Sequence, residues 1–469
     1  MERLTAEDQL MLWPDAIWPQ DIGALAVLDG AGLLAPDGRF RTEAVRRVIE
    51  ARLHLVPRFR QLLHVPRRGM GRPLWVDAPA FDLADHLLVA PLPAPGGETA
   101  LLHATEQVRR RRLDRSRPLW EMWFFPGLAE GRVGMFVRMH HAIADGIAGV
   151  ATVAALLDAT PDTPAPLARP WTPAPAPAAR QLLADNLRRH GGALGHALSA
   201  LTSPVATARR LQAAWPAMRA VFDEVPTPTS SLDRPVGPNR SLALIRSSLD
   251  QVRQIGYAHD AKVNDVLLAV VAAGLRGLLR SRGERTDDLV LPVYVPVTLR
   301  QAQLRARARG NLIGQMIVPL PLGTADPGRR LREIAAETAE RKARAHPPLG
   351  TVLRSRTARW ALLRTLERHP VSVTTANLPG PQQPVYLAGA RLLEVFPVLP
   401  LIAKVSLGVG ALSYAGQLNI TAIADRDASP DLEVFAAGVR AELRALTAST
   451  SLGPGRRTAA GAGEVGQPR

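Results

Sequence analysis

The chain has 469 residues, of which 46% are apolar, and it carries a formal net charge of +16 at pH 7. This length exceeds one ordinary hydrophobic core, so two domains are expected. The absence of cysteine excludes disulfides, thiolate metal sites and a cysteine acyl-enzyme. No apolar run approaches the roughly 20 residues needed to span a bilayer, and no signal peptide is evident, which together favour a cytoplasmic protein.

The positive charge comes almost entirely from arginine, with lysine only at positions 262, 342 and 404. Neither a zinc-finger spacing nor an RNA-binding motif accompanies this charge, so no nucleic-acid partner is expected. The positive charge instead predicts attraction to anionic membrane surfaces and to acidic substrates.

Helical and strand-like segments alternate through the first 157 residues. Apolar spacing predicts helices over Thr42–Leu55, Ala100–Arg112 and Ile147–Leu157, and a buried strand over Val133–Met139. A proline-rich segment follows from residue 158 and is typical of a stiff, extended linker. Residues 180 to about 225 form an Ala/Arg/Leu helical stretch that is expected to lie across two domains or to be partly mobile.

A second α/β unit is expected to begin near Arg240. Its longest element is an apolar helix over Val266–Leu279, and a charged helix over Pro327–His346 and a final helix over Leu432–Leu446 follow. The predicted strands are Leu289–Val297, Leu312–Leu320, Val371–Thr375, Val405–Tyr414 and Gln417–Ala424. The Gly/Ala/Arg tail over residues 450–469 is expected to be disordered.

The most informative stretch is His140-His141-Ala-Ile-Ala-Asp145-Gly146, directly after the strand at 133–139. Because neighbours on a strand point to opposite faces, one histidine can face a cleft while the other faces the protein body. A single positioned imidazole is the side chain best suited to move a proton near neutral pH. No metal site is expected, because adjacent strand histidines diverge and no third ligand stands at a zinc-type spacing.

Together with motifs before and after it, this stretch makes the chain resemble the bacterial wax ester synthase/diacylglycerol acyltransferase family, within the CoA-dependent acyltransferases that carry H-H-x-x-x-D-G. The resemblance extends over nearly the whole chain, and the order of its motifs is more specific than any one of them. The other motifs are Leu4–Asp8, Leu113–Glu121 with Pro118-Leu119-Trp120, Asn264-Asp265, Gly310-Asn311, Asn377–Pro381 and Ser413–Gly416.

The resemblance implies an α/β fold of two chloramphenicol-acetyltransferase-like domains, with mixed sheets, flanking helices and an active-site tunnel between them. The N-terminal acyltransferase domain would cover residues 1–157, a proline-rich linker and crossover helices 158–238, and the C-terminal acyltransferase-like domain 239–449. The implied reaction is transfer of a long-chain acyl group from acyl-CoA to diacylglycerol, a fatty alcohol or both, giving triacylglycerol or wax ester. Acyl-CoA is then a substrate, no cofactor is expected, and the enzyme would associate peripherally with the inner membrane face or lipid inclusions.

By the same resemblance, His141 is the general base and His140 holds the loop from inside the protein. Asp145 would orient the motif through an arginine ion pair, or else pair directly with a histidine, and Gly146 would permit a tight turn or close packing. The residues expected at the substrate are Pro118, Leu119, Trp120, Asn264, Asp265, Asn377, Pro379 and Gly380. Structural roles stay open for several of them: core packing for Leu119 and Trp120, and helix capping for Asn264-Asp265.

Two segments depart from the family pattern. Ala376 and Leu378 stand where the family has serine and valine before Pro-Gly-Pro. Position 376 therefore has no hydroxyl that could stabilise an oxyanion or position the substrate. Gln20-Asp21 stands where the family has Met-His, which would reshape one wall of the cavity.

Three alternative functions remain at the level of the sequence. A glycerophosphate-type H-x-x-x-x-D enzyme would use His140 as the base, although the other motifs and the two-domain length argue against it. A condensation-type enzyme would use carrier-bound thioesters. A non-catalytic lipid-coat protein would keep the fold without turnover, but the intact His141 and Asp145 speak against this.

Overall fold

A computed structural model describes residues 2–164, 167–202, 229–298, 313–343 and 371–451 of the protein. In the first half the helices are α1 Ala6–Leu12, α2 Thr42–Arg52, α3 Glu98–Arg110 and α4 Gly146–Ala154. The strands are β1 Glu2–Arg3, β2 Asp21–Leu28, β3 Gln61–His64, β4 Leu74–Asp77, β5 Leu87–Val89, β6 Trp120–Leu128 and β7 Arg132–His140.

The rest of the described chain begins with a long helix and continues as an α/β unit. Its helices are α5 Ala179–Thr202, α6 Leu249–Ala258, α7 Val263–Ser281, α8 Pro327–Ala343 and α9 Leu432–Ser451. Its strands are β8 Arg240–Ser248, β9 Val290–Thr298, β10 Ile313–Pro321, β11 Val373–Pro379, β12 Tyr386–Leu387, β13 Ala390–Val398, β14 Leu407–Tyr414 and β15 Gln417–Asp425. The predicted helical stretch beyond Thr202, the end of the 327–346 helix and the tail beyond residue 451 lie outside the described residues.

Among the described residues, two six-stranded mixed sheets form the body of the molecule. The first has the order β12-β13-β2-β7-β6-β5, in which β5 and β6 run parallel and the other described pairs are antiparallel. The second has the order β10-β9-β11-β14-β15-β8, in which β11 runs parallel to both of its neighbours. The α/β class predicted from the sequence is confirmed.

The C-terminal half of the chain contributes an inner strand to the first sheet. β13 pairs antiparallel with β2, placing Phe396 opposite Leu25. The first sheet therefore contains strands from both predicted domain ranges, 1–157 and 239–449, because β13 (residues 390–398) lies between β12 and β2. Phe396 is fully buried in an apolar cluster that also contains Phe136 from β7 and Ile423 from β15. This cluster joins the two sheets.

The apolar helix α7 lies at the centre of the core of the second unit. Its residues from Val266 to Leu275, with Leu278 and Leu279, are buried, as expected for a helix that is apolar on most of its surface. It packs with β9, β14 and α9 in one cluster. Within the described ranges, no helix combines the length and apolar character that crossing a membrane requires.

The linker helix α5 is docked on the N-terminal unit. Arg3 donates from Nε to Asp185 at 2.6 Å and from Nη2 to the Leu182 carbonyl at 3.2 Å. Asn186 donates to the Gly69 carbonyl at 2.7 Å. These contacts fix the first turns of the helix against the strands that precede the histidine motif.

Candidate active site

The two adjacent histidines lie at the end of β7, between the start of β2 and the start of β6. The His140 amide donates to the Leu119 carbonyl at 2.9 Å, and the His141 amide donates to the Gln20 carbonyl at 2.7 Å. His140 is buried, whereas His141 keeps partial exposure to solvent. The change from strand to turn at this point thus separates a buried histidine from a partly exposed one.

Both ring nitrogens of His140 face protein groups. Nδ1 accepts a hydrogen bond from the Ala142 amide at 3.0 Å, so in the neutral ring the proton resides on Nε2. Nε2 lies 3.3 Å from Oδ1 of Asp15. His140 is therefore committed to holding the turn, which disfavours the glycerophosphate-type alternative in which it would be the base.

Asp15 is a site residue that the sequence did not reveal. Its carboxylate accepts the Gln20 amide at 2.9 Å and Arg115 at 2.5 Å, besides facing His140. Burial would raise the pKa of the Asp15 carboxyl, but the nearby His140 ring and the hydrogen bond from the Gln20 amide outweigh it and hold this pKa well below its usual range. Because the Gln20 carbonyl accepts the His141 amide, Asp15 is linked to the histidine turn both through Gln20 and through the His140 ring.

Asp21, one of the two departures from the family pattern, lies beside this arrangement. It pairs with His140 across the β2–β7 ladder, and its Oδ2 atom lies 3.6 Å from Nη1 of Arg138. Burial raises the pKa of the Asp21 carboxyl, partly offset by the Arg138 charge. Arg138 is itself held by Glu121, with Nη2 at 2.8 Å from Oε2.

A small cavity of about 100 Å³ opens beside His140. By the volume of a water in the liquid, roughly 30 Å³, it has room for a few waters but not for a long acyl chain. Its lining is Asp15, Pro19, Asp21, Arg112, Leu113, Arg115, Leu119 and His140. The interdomain tunnel expected from the resemblance stays a prediction.

Asp145 and Gly146 form the start of helix α4. Oδ1 of the buried Asp145 accepts the Ala148 amide at 2.8 Å, which makes Asp145 the N-cap of the helix, where a negative charge also complements the helix dipole. A Cβ atom on Gly146 would lie 2.8 Å from Cδ2 of Leu378. The motif glycine thus allows close packing against β11 of the second sheet.

The segment Asn377–Gly380 is brought next to the histidine motif by this contact. Leu378 is the side chain that meets Gly146, and strand alternation directs the side chains of Asn377 and Pro379 to the other face. Gly380 donates its amide to the Ser413 carbonyl at 2.9 Å, and a Cβ there would lie 2.5 Å from that oxygen. Close approach of two strands explains this glycine.

Asp265 acts as a capping residue. Its Oδ2 accepts the Lys262 amide at 2.9 Å at the start of α7, and its Oδ1 accepts the Thr338 hydroxyl at 2.7 Å from α8. Asp265 is buried and its neighbour Asn264 is half-buried. The structure therefore supports the capping alternative for Asp265 over direct substrate contact.

Trp120, expected at the substrate, is a core residue. It is fully buried, stacks between Phe59 and His86, and donates its indole N–H to the Phe59 carbonyl at 2.9 Å. Pro118 and Leu119 are also buried, and Leu119 lines the cavity beside His140. The tryptophan is placed in the core because its ring fills the space between two aromatic neighbours and its one donor is satisfied there.

Solved structures with the same arrangement of two units define the class of fold. The chain aligns with the wax ester synthase/diacylglycerol acyltransferase from Marinobacter aquaeolei VT8 with a TM-score of 0.68 and 23% identity, covering 96% of this chain and 100% of that one. It aligns with the first condensation domain of the calcium-dependent antibiotic synthetase with a TM-score of 0.61 and 16% identity, covering 95% and 96%. The fold is the chloramphenicol-acetyltransferase-like two-domain α/β fold.

Sequence comparison narrows this class to one family. The wax ester synthase/diacylglycerol acyltransferase catalytic domain matches residues 4–267, and the C-terminal domain of the same family matches residues 309–447. A probable diacylglycerol O-acyltransferase of Mycobacterium tuberculosis strain H37Rv is 32% identical over 437 residues, covering 91% of each chain. A putative one from the same strain is 32% identical over 484 residues, covering 96% of this chain and 98% of its own.

The chain belongs to the wax ester synthase/diacylglycerol acyltransferase family, and it is an acyltransferase.

Proposed function

We propose that this enzyme transfers a long-chain acyl group from acyl-CoA to diacylglycerol, a fatty alcohol or both, giving triacylglycerol or wax ester. The names of the family and of its relatives support this assignment. The observation that supports the mechanism is the contrast between the buried His140, whose Nδ1 accepts the Ala142 amide, and the partly exposed His141.

In the proposed mechanism, His141 takes the proton of the acceptor hydroxyl as its oxygen attacks the thioester carbonyl. The C–O bond forms, the C–S bond breaks, and the CoA thiolate leaves and is protonated. A hydroxyl is a poor nucleophile near neutral pH, and general-base assistance typically contributes ~10²–10⁴-fold in rate. No acyl-enzyme is required, because a thioester is already an activated acyl donor. The absence of cysteine also excludes a cysteine acyl-enzyme.

Asp15, His140 and the Gln20 carbonyl act on the backbone around His141 and not on the substrate. They hold the turn so that the His141 ring keeps one position relative to β7 and α4. Positioning of this kind matters because a displacement of about 1 Å at a catalytic group can cost ~10²-fold in rate.

Peripheral association with the inner membrane face or with lipid inclusions is part of the same proposal. Its support is the lipid character of the proposed substrates and the net charge of +16, which favours contact with anionic surfaces.

A free-thiol release assay tests the proposed reaction. Palmitoyl-CoA is offered with diacylglycerol or with hexadecanol, and a carrier-bound palmitoyl thioester is offered in parallel. We expect thiol release with free acyl-CoA that depends on one or both acceptors. Activity on the carrier thioester alone would favour the condensation-type alternative, and lipid binding without thiol release would favour a non-catalytic lipid-coat protein.

A further inference from the structure

The turn between α1 and β2 presents two large apolar side chains to solvent. Trp13 is 40% exposed and Ile17 is 68% exposed. Their neighbours Leu12 and Trp18 pack against the apolar cores, so the turn is anchored on both sides. The exposure of Trp13 and Ile17 is thus a property of a fixed turn.

Arginines from the segment after α3 are held against the same turn. Arg112 donates to the carbonyls of Asp15 at 2.6 Å and of Ala16 at 2.9 Å. Arg115 donates to the Asp15 carboxylate at 2.5 Å while its side chain remains 53% exposed. Apolar and cationic groups therefore share one surface, and we call Trp13, Ile17, Arg112 and Arg115 the turn patch.

We propose that the turn patch docks the enzyme on an anionic lipid surface. Tryptophan rings concentrate at the boundary between headgroups and acyl chains, isoleucine partitions into the acyl region, and arginines attract anionic headgroups. This inference rests on the proposed function, since it supposes lipid substrates, and it names the surface of the protein that meets them.

The turn patch is joined directly to the histidine motif. Asp15 lies in the same turn and faces His140, and Gln20 a few residues later holds the His141 amide. Arg112 and Arg115 also line the cavity that reaches His140. Docking at this turn would place the lipid surface next to the wall of the site that Asp15 and Gln20 build.

A vesicle co-sedimentation experiment tests the proposal with the full-length protein. The probe is phosphatidylcholine vesicles with and without phosphatidylglycerol, at low and high salt. The test variant is Trp13→Ser/Ile17→Asp. Two control variants alter other exposed apolar residues: Tyr257→Ser on α6, where Tyr257 is 81% exposed, and Leu183→Gln/Leu187→Gln on α5, where the leucines are 45% and 61% exposed.

We expect the parent to bind the anionic vesicles in a salt-sensitive manner. The test variant should bind at least about tenfold more weakly, because it removes two inserting side chains and adds a negative charge, and both controls should bind like the parent. Three results would overturn the proposal. The test variant could bind like the parent, the α5 variant could lose binding instead, or the parent could show no preference for anionic vesicles.

Thiol release from a short-chain acyl-CoA with a water-soluble alcohol separates this proposal from the proposed function. We expect the test variant to keep the parental rate in this assay and to lose rate only when diacylglycerol is carried in anionic vesicles. An equal loss in both assays would show that the turn patch serves structure and would contradict docking. A parent that binds vesicles but releases no thiol from any acyl-CoA would refute the proposed function and leave the docking surface standing.

Discussion

His140 and His141 are neighbours in the chain, yet their surroundings give them different chemistry. His140 lies between the Ala142 amide and Asp15, so its tautomer is set by the protein. His141 is partly exposed, and its backbone is held by Gln20. The different roles proposed for the two histidines depend on Asp15. It faces the His140 ring and accepts the amide of Gln20, whose carbonyl binds the His141 amide.

Replacing Asp15 by asparagine tests this dependence. The amide side chain would keep the size of the carboxylate but lose the charge that pairs with Arg115 and faces His140, so we expect kcat to fall about tenfold with little change in the KM for acyl-CoA. Steady-state thiol release measures both constants. The matched control is Asp114→Asn, which alters an exposed acid in the neighbouring loop. A folded Asp15→Asn enzyme with the parental kcat would show that Asp15 does not position the site.

The same substitution has a signature in the pH dependence of stability. Because the pKa of folded Asp15 lies below its usual value, its contribution to stability is complete above the unfolded pKa of about 4 and is lost as the pH falls through the folded pKa. Parent and Asp15→Asn should therefore differ in the free energy of unfolding at neutral pH and converge in strong acid. Denaturant titrations at several pH values measure this difference, and a constant gap down to the lowest pH would contradict it.

At the level of elements, β13 is the strand on which the joining of the two units depends. It pairs with β2 in the first sheet and carries Phe396 into the cluster shared by both sheets. Glu394 on the same strand binds Arg246 of β8 at 2.6 Å, and Arg246 also reaches Glu98 of α3 at 2.7 Å. One strand thus connects elements from both halves of the chain.

Phe396→Ala should destabilise the protein by about 3–5 kcal/mol, the usual cost of truncating a buried phenylalanine. A urea titration followed by tryptophan fluorescence measures the change. Val434→Ala on α9, where Val434 is 39% exposed, is the control and should change stability by less than about 1 kcal/mol. Equal effects of the two substitutions would mean that the shared cluster contributes little.

The sequence predicts the elements that are stabilised by their own apolar residues, and it does not predict an element that depends on pairing with a distant strand. α7 and the strand before the histidines were predicted because each is a continuous apolar run whose burial needs no knowledge of distant residues. β13 was missed because Pro397 interrupts its strand pattern and its partner β2 lies in the other half of the chain. Tertiary pairing, not local propensity, makes it a strand.

The site residues also fall into those that local sequence identifies and those that depend on distant contacts. The histidine motif and Gly146 were identifiable from local spacing. The role of Asp15 and the burial of Trp120 depend on contacts with residues far along the chain, which no periodicity encodes. The sequence leaves Asp265 open between capping and substrate contact. In the structure one oxygen accepts the Lys262 amide and caps the helix, and the other accepts the Thr338 hydroxyl from a distant helix, which the sequence does not predict.

For the whole molecule, the crossing of β13 into the first sheet implies one cooperative unit. Removing the C-terminal half would leave the β2 edge unpaired and expose the shared apolar cluster. We expect a single thermal transition by calorimetry for the full chain, with Phe396→Ala shifting all of it. Two separate transitions, only one of them shifted by Phe396→Ala, would show that the units fold independently.

The proposed mechanism depends most on His141 as the base that activates the acceptor. Palmitoyl-CoA turnover by His141→Ala, measured as thiol release with the better acceptor, tests this directly, with His103→Ala as the control at an exposed histidine of α3. We expect His141→Ala to lose ~10²–10⁴-fold in kcat with its unfolding midpoint unchanged, and His103→Ala to match the parent. A His141→Ala enzyme that turns over at the parental rate would contradict the mechanism.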